Sequence, residues 1–222
     1  MSSTETVYRA HHQENEREGF SILESERGEL FARLIGTRKR VLDLGCRDGT
    51  LTRHFVGGND VTGADVDSHA LERVSRELGI ETVQLDLNTG DWPFRDGDFD
   101  VVVAAEVIEH LYFPTKVLER ITRILKPGGM LVGSVPNAFS LKCRLKYLAA
   151  NKRGTPLADP MHINQFGWHE VSGLLSESFV DVSLYPLGRW PRLSRISPSL
   201  FAYGIGFSAI MPVQKTDVIS FR

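Results

Sequence analysis

The hexapeptide EVIEHL, residues 106 to 111, sets two carboxylates and an imidazole at i, i+3 and i+4. On a helix those three positions share a face. Two carboxylates beside an imidazole suit two tasks: taking a proton from a reacting group, or holding a divalent cation through mixed oxygen and nitrogen donors. A later histidine, His162 in DPMHINQFGW, offers a further nitrogen. The catalytic candidates are therefore Glu109, His110 and His162, and the candidate metal ligands are Glu106, Glu109, His110 and His162. Such a donor set does not choose among magnesium, manganese and zinc. The structural alternative is a glutamate–histidine pair that only packs and satisfies local hydrogen bonds.

A second group of residues is acidic. VLDLGCRDGT, residues 41 to 50, runs from an apolar strand into a turn with Gly45 and Gly49 four positions apart, Arg47 between them, and Asp43 and Asp48 close by. Phosphate-binding turns of the G-x-G-x-x-G type have a different spacing, and these acids would repel a pyrophosphate. A positively charged ligand is favoured instead, and S-adenosylmethionine carries an ammonium and a sulfonium together with a ribose and an adenine. Asp65 lies 20 residues after Gly45, where a carboxylate can accept from ribose hydroxyls. Asp86 is placed for an adenine amino group. Two alternatives stand beside this reading. Asp43 and Asp65 suit helix caps, and a dinucleotide site also asks for an acid about 20 residues on, although not for acids in the turn.

The elements that must position these residues alternate between strand and helix, the order of a parallel sheet covered on both faces. Strands are expected at 40–44, 60–65, 81–86, 99–105 and 130–136, then at VDVSLYP and around GFSAIMP. Leu71, Val74 and Leu78 mark one helix, Val117, Ile121 and Ile124 a second that LKPGG should stop, and Val171, Leu174 and Leu175 a third. In such sheets ligands bind beyond the carboxyl ends of the strands. Those ends carry Asp43, Asp65, Asp86, Glu106 and Asn137.

VLDLGCRDGTL, VTGADVD, VQLDLN, FDVVVAAEVIEHL and LKPGGMLVGSVPN follow one another in the order and spacing of the class I S-adenosylmethionine-dependent methyltransferases, which the chain resembles over roughly residues 38–137. The resemblance implies a Rossmann-like α/β fold, a doubly wound seven-stranded sheet with its last strand antiparallel. It implies a cofactor-binding set of Asp43, Gly45, Cys46, Gly49, Asp65, Val66, Asp86, Leu87 and Glu106. Within it, Asp43 and Gly45 would lie near the methionine part, Asp65 on the ribose and Asp86 near the adenine. Arg47 stands where family members often have glycine. The motif around Glu106 resembles two subgroups, the ubiquinone-biosynthesis-type O-methyltransferases and the small-RNA 2′-O-methyltransferases. In the latter, two glutamates and a histidine of such a motif join a later histidine around a divalent metal. SVPNAFSLKCRLKYL and HINQFGWHEVSGLLSESF are similar, more loosely, to bacterial enzymes that methylate sugars or lipid-linked glycans.

Charge is unevenly spread along the 222 residues. Residues 1–119 carry 23 acids against 13 Lys and Arg, and residues 120–222 carry 5 against 13. Residues 127–158 and 182–216 hold no acid at all, yet include Lys142, Arg144, Lys146, Lys152 and Arg153, then Arg189, Trp190, Arg192 and Arg195. These stretches suit a phosphate-bearing acceptor, an anionic lipid surface or nucleic acid, and equally an ordinary solvated face. Two distant cysteines give neither a metal spacing nor a disulfide framework, and the N-terminus lacks the basic start and apolar run of a signal peptide. A cytoplasmic setting without a transmembrane segment is expected. One domain is expected, with a helical lid over 1–37, a cofactor core over 38–137, and an acceptor side over 138–222; within the first, Tyr8, His11 or His12 either lies on a surface helix, the favoured reading, or closes on the cofactor. The sequence thus predicts methyl transfer to oxygen of a small-molecule or glycan- or lipid-linked acceptor. The alternatives are ribose 2′-O-methylation of RNA, and a catalytically silent cofactor-binding partner protein.

Overall fold

A computed structural model describes residues 5–6, 19–89, 92–188 and 190–212. Seven strands, β1 (Arg40–Leu44), β2 (Asp60–Asp65), β3 (Glu81–Gln84), β4 (Phe99–Ala105), β5 (Leu125–Pro136), β6 (Val180–Leu187) and β7 (Gly204–Ile210), form one sheet in the order β3-β2-β1-β4-β5-β7-β6. β1 to β5 are parallel, and β7 enters antiparallel between β5 and β6. This is the seven-stranded, doubly wound α/β arrangement expected from the sequence.

Strand alternation feeds two cores. Leu42, Leu44, Val102, Ala104 and Leu131 face one side with Val117, Ile121 and Ile124 of α3 (Pro114–Ile124) and Val171 and Leu175 of α5 (Trp168–Ser176). Val41, Val61, Val101, Val103 and Val132 face the other, against Leu30, Phe31 and Ile35 of α1 (Glu24–Ile35) and Leu71 and Val74 of α2 (Ser68–Leu78). Period-2 strands with both faces buried read as near-continuous apolar runs, which is why FDVVVAA was recognisable. α1 is thus a packing layer of the second core. The remaining helices, α4 (Leu141–Leu148), α6 (Pro191–Ile196) and α7 (Pro198–Phe201), sit on the carboxyl side of β5 and around the entry to β7. Tyr8, His11, His12 and Arg189 lie outside the described residues.

Three local details refine the expectation. LKPGG ends α3 and at once begins β5: Leu125 pairs with Phe99, and the register slips before Met130. A proline without an N–H and Gly128 at φ 76° produce the irregularity there. The first crossover, whose form the sequence left open, is a single 3₁₀ turn, Thr52–His54. β3 closes at Gln84, so Asp86 stands just beyond the strand. Neither Asp43 nor Asp65 caps a helix. Asp67 caps α2, accepting from the amides of His69 and Ala70.

Candidate active site

The carboxyl ends of β1, β4 and β5 open into a cavity of about 610 Å³ whose wall includes Cys46, Arg47, Asp48, Ala105, Glu106, His110, Pro136, Asn137 and His162. Its floor at the β1 end is the glycine turn. The amides of Gly45 and Cys46 donate to the carbonyl of Ala64 at 2.7 and 3.2 Å, which folds the chain back over β2. Gly45 and Gly49 have φ of 72° and 75°, and a Cβ would meet Val107 at the first and Val74 at the second. Both glycines are therefore required by the left-handed backbone and by packing. Arg47 also takes a left-handed conformation, φ 47°. Its amide donates to Asp65 at 2.9 Å, its guanidinium to the carbonyl of Phe20 at 2.6 Å and towards Asp48 at 3.4 Å.

The acids of this edge differ in their surroundings. Asp43 is buried and, among the described residues, accepts only from the Thr52 hydroxyl, at 2.7 Å. Burial, with the charge of Asp65 added, raises its pKa to about 7. Asp65 accepts from the amides of Arg47 and Asp67, yet burial still holds its carboxyl above the ordinary value. Burial acts on Asp48 in the same sense, but Arg47 and the N–H and O–H groups of Gly19 and Thr50 outweigh it, so its pKa is lowered. Asp86 accepts from the Asn88 amide at 3.0 Å. The Val66 carbonyl accepts from Gln84, and Leu87 packs against the first core. Asp65 borders the turn through the Arg47 amide, and neither it nor Asp86 lines the cavity.

The EVIEHL motif is divided by its backbone. Glu106 has φ 56°, and the 3₁₀ turn Ile108–His110 begins two residues later, so the three side chains do not share one helical face. Glu106 turns towards α1: it pairs with Arg27 at 3.2 Å and accepts from the Ser134 hydroxyl at 3.0 Å. Glu109 and His110 turn the other way. The segment 159–164 is laced to them, with the Asn164 amide donating to the Glu109 carbonyl at 2.9 Å and its side chain to the Leu111 carbonyl at 2.6 Å. This lacing brings His162 beside His110, the ring centroids 4.8 Å apart.

Glu109, His110 and His162 present ligand atoms all within 4.8 Å of one another. Glu106 is outside that group. Glu109 is 1 % exposed, and among the described residues neither carboxyl oxygen has a hydrogen-bond partner. Burial, and then the charge of Glu106, push its pKa well up. Each histidine has Nδ1 against a backbone carbonyl, Met161 for His110 at 2.8 Å and Pro156 for His162 at 3.1 Å. A carbonyl can only accept, so Nδ1 of each ring carries a proton, and in the neutral imidazole Nε2 is then the nitrogen that can accept or ligate. Nε2 of His162 faces Asp159 at 3.8 Å. Three donors, one of them a buried acid lacking any partner, fit a cation.

Sequence reasoning missed Arg27, which is 4 % exposed and reaches Glu106, Ser134 and the Ser21 hydroxyl from α1. The signal was its spacing: it precedes Leu30 and Phe31 by three and four residues and so shares their inward face.

The methyltransferase-domain family profile matches residues 14–177. The chain belongs to this family. Among relatives of this methyltransferase-family chain is a protein of Mycobacterium tuberculosis named as a probable S-adenosylmethionine-dependent methyltransferase, 31% identical over 160 residues, with 71% of this chain and 54% of that protein covered. Another, named ubiquinone biosynthesis O-methyltransferase, from Xanthomonas oryzae pv. oryzae, is 36% identical over 120 residues, covering 50% of each. The chain spans about half the length of the curated relatives it matches. In fold it is similar to a SAM-dependent methyltransferase from Archaeoglobus fulgidus, with a TM-score of 0.66 at 17% identity, 91% of this chain and 99% of that one being covered. Among the described residues no helix is long and apolar enough to cross a membrane.

Proposed function

We propose that this methyltransferase moves the methyl group of S-adenosylmethionine to an oxygen of a small-molecule or glycan- or lipid-linked acceptor, with Glu109, His110 and His162 serving the acceptor. The observation that carries the reading is the buried carboxyl of Glu109, without a hydrogen-bond partner among the described residues, beside two histidines whose Nδ1 atoms face backbone carbonyls, near the cavity that also meets the acid-rich turn. Asp43 and Asp65, held above their ordinary pKa by burial, are acids that a sulfonium and an ammonium would suit. Gly45, Cys46, Gly49, Val66, Asp86, Leu87 and Glu106 complete the proposed cofactor set. Arg27, which lines the cavity and pairs with Glu106, is added to that set.

When bound, S-adenosylmethionine supplies an electrophilic methyl on a positively charged sulfur, a good leaving group. The protein's part is alignment and exclusion of water, which can supply about 7–11 kcal/mol of the barrier. An acceptor hydroxyl must also lose a proton as its oxygen forms the new bond to carbon. Nε2 of His110, which lines the cavity, is the proposed base, and the Met161 carbonyl fixes its tautomer. A divalent ion held by Glu109, His110 and His162 would instead acidify the hydroxyl directly. Glu106 is retained as a cofactor-side residue, since Arg27 and Ser134 both meet its Oε1 and hold it on the α1 side.

The test is titration calorimetry with S-adenosylmethionine, followed by a screen with labelled methyl donor over quinols, nucleotide sugars, lipid-linked glycans and RNA. Absence of cofactor binding at millimolar concentration ends the proposal. Labelling of RNA alone would move the reading to ribose 2′-O-methylation. Full activity in chelator removes the ion and leaves His110 as base.

A further inference from the structure

The acid-free stretches of the chain come together in space. α4 and α6 both pack on α7, and Asn137 ties α7 to the end of β5 through the carbonyls of Ser199 and Ala202. From this assembly Lys142, Arg144, Lys152, Arg153, Arg192 and Arg195 project as exposed side chains, and among the described residues none pairs with an acid. Between them stand large apolar side chains with no core to enter: Leu145 is 59% exposed, Leu148 85%, Trp190 63% and Ile196 79%. Lys142, Cys143, Gly154, Thr155 and Tyr203 belong both to this region and to the wall of the cavity, so the face continues into the cavity mouth.

We propose that this face docks on an anionic lipid bilayer, with the cavity mouth turned towards the lipid. Cations ringed around aliphatic side chains and one tryptophan match a surface of negative headgroups over hydrocarbon. Nucleic acid would use the cations but gains little from an exposed leucine and isoleucine, because base recognition relies on aromatic stacking. A second copy of the chain would set the same cations against one another. The docking itself does not depend on the proposed chemistry. Its consequence for the acceptor, one drawn from a lipid surface, does rest on that reading.

The experiment is co-sedimentation of the full chain with vesicles of phosphatidylcholine, with and without phosphatidylglycerol, at low and high salt. Binding to the anionic vesicles that salt weakens is expected, with little to the neutral ones. Arg192→Gln and Arg195→Gln should each weaken it about fivefold, and Leu148→Asn with Ile196→Asn about tenfold or more. Calorimetry with S-adenosylmethionine on the same variants, expected unchanged, reports that they fold. Wild-type chain left in the supernatant with anionic vesicles overturns the proposal. So does binding to which Leu148 and Ile196 contribute nothing while single-stranded RNA competes fully. Wild-type chain that sediments but does not bind S-adenosylmethionine would break the proposed function and leave the docking standing.

Discussion

The two ends of the cavity treat buried acids in opposite ways. At the β1 turn, Asp48 and Asp65 each accept from backbone amides of their own neighbourhood, and Asp43 has at least the Thr52 hydroxyl. At the other end Glu109 is as buried as any of them and accepts from nothing. An acid left so costs stability, of order 1–3 kcal/mol for the lost hydrogen bonds alone. The contrast separates the proposed cofactor cradle, whose acids have partners in the bare protein, from the proposed acceptor centre, whose acid has none among the described residues.

Replacing the unsatisfied acid breaks the comparison most directly. Glu109→Met removes the carboxyl at similar volume, so turnover should fall about 10²–10⁴-fold. At the same time the unfolding midpoint in urea should rise, by an amount equivalent to about 1–3 kcal/mol. Cofactor affinity should stay within about twofold, because Glu109 faces the acceptor side. A variant that is both inactive and less stable would mean that Glu109 is a packing residue, and the difference between the two ends would vanish.

The Arg27–Glu106 pair stands between the ends, and its loss should be the largest purely structural effect. Arg27→Met leaves Glu106, which is 27% exposed, beside Ser134 without its cation; solvent at the carboxylate reduces the penalty of a fully buried pair to about 1–3 kcal/mol. Chemical denaturation measures this. The double variant Arg27→Met with Glu106→Gln should recover most of that stability while S-adenosylmethionine binding remains weak. Recovery of binding as well would assign Arg27 to the fold alone.

How far these ends were legible beforehand follows from how local their geometry is. Asp43, Gly45 and Asp65 were readable because strand, turn and strand are consecutive and the register Asp43↔Gly63 places the turn beside the end of β2. The apolar pattern likewise gave the strand order its parts. Glu106 was misjudged as a partner of Glu109 because a helical spacing was assumed where the backbone turns left-handed, a conformation that no residue type there announces. His162 was found by residue type alone. What places it, the lacing of Asn164 to residues 109 and 111, joins segments over 50 positions apart. Arg27 was hidden by its charge, since a lone arginine among Glu24, Glu26 and Glu29 reads as solvent face until its spacing to Leu30 and Phe31 is counted.

Acidity sharpens the comparison further. Asp43 has its pKa raised from 3.8 to about 7, so the folded chain holds a proton there that the unfolded chain gives up. Stability from this group is therefore greatest below the unfolded value and declines as pH rises from about 4 to 7, by no more than about 4 kcal/mol. A bound cation reverses the preference. S-adenosylmethionine should bind with release of a proton below pH 7, and its affinity should climb towards that pH and then level. Calorimetry in buffers of different ionisation heat measures the proton directly. No release at pH 6 would place the positive charge of the cofactor away from Asp43, and Asp43→Asn should abolish whatever release is seen.

Arg47 gives the smallest effect and the finest distinction. Glycine at this position would relieve a left-handed backbone that costs of order 1 kcal/mol in other residues, but it would also remove the guanidinium from Phe20 and Asp48. These terms oppose each other, so Arg47→Gly should leave thermal stability within about 1 kcal/mol of the parent. What changes is the fastening of residues 19–23 over the turn, where Gly19 would keep only its bond to Asp48. Faster release of S-adenosylmethionine is expected, by several-fold, in stopped-flow measurements, with association little altered. If release is unchanged, the strap is held by α1 and the Arg27–Ser21 bond, and the cradle at this end owes its closure to the second core and not to the turn.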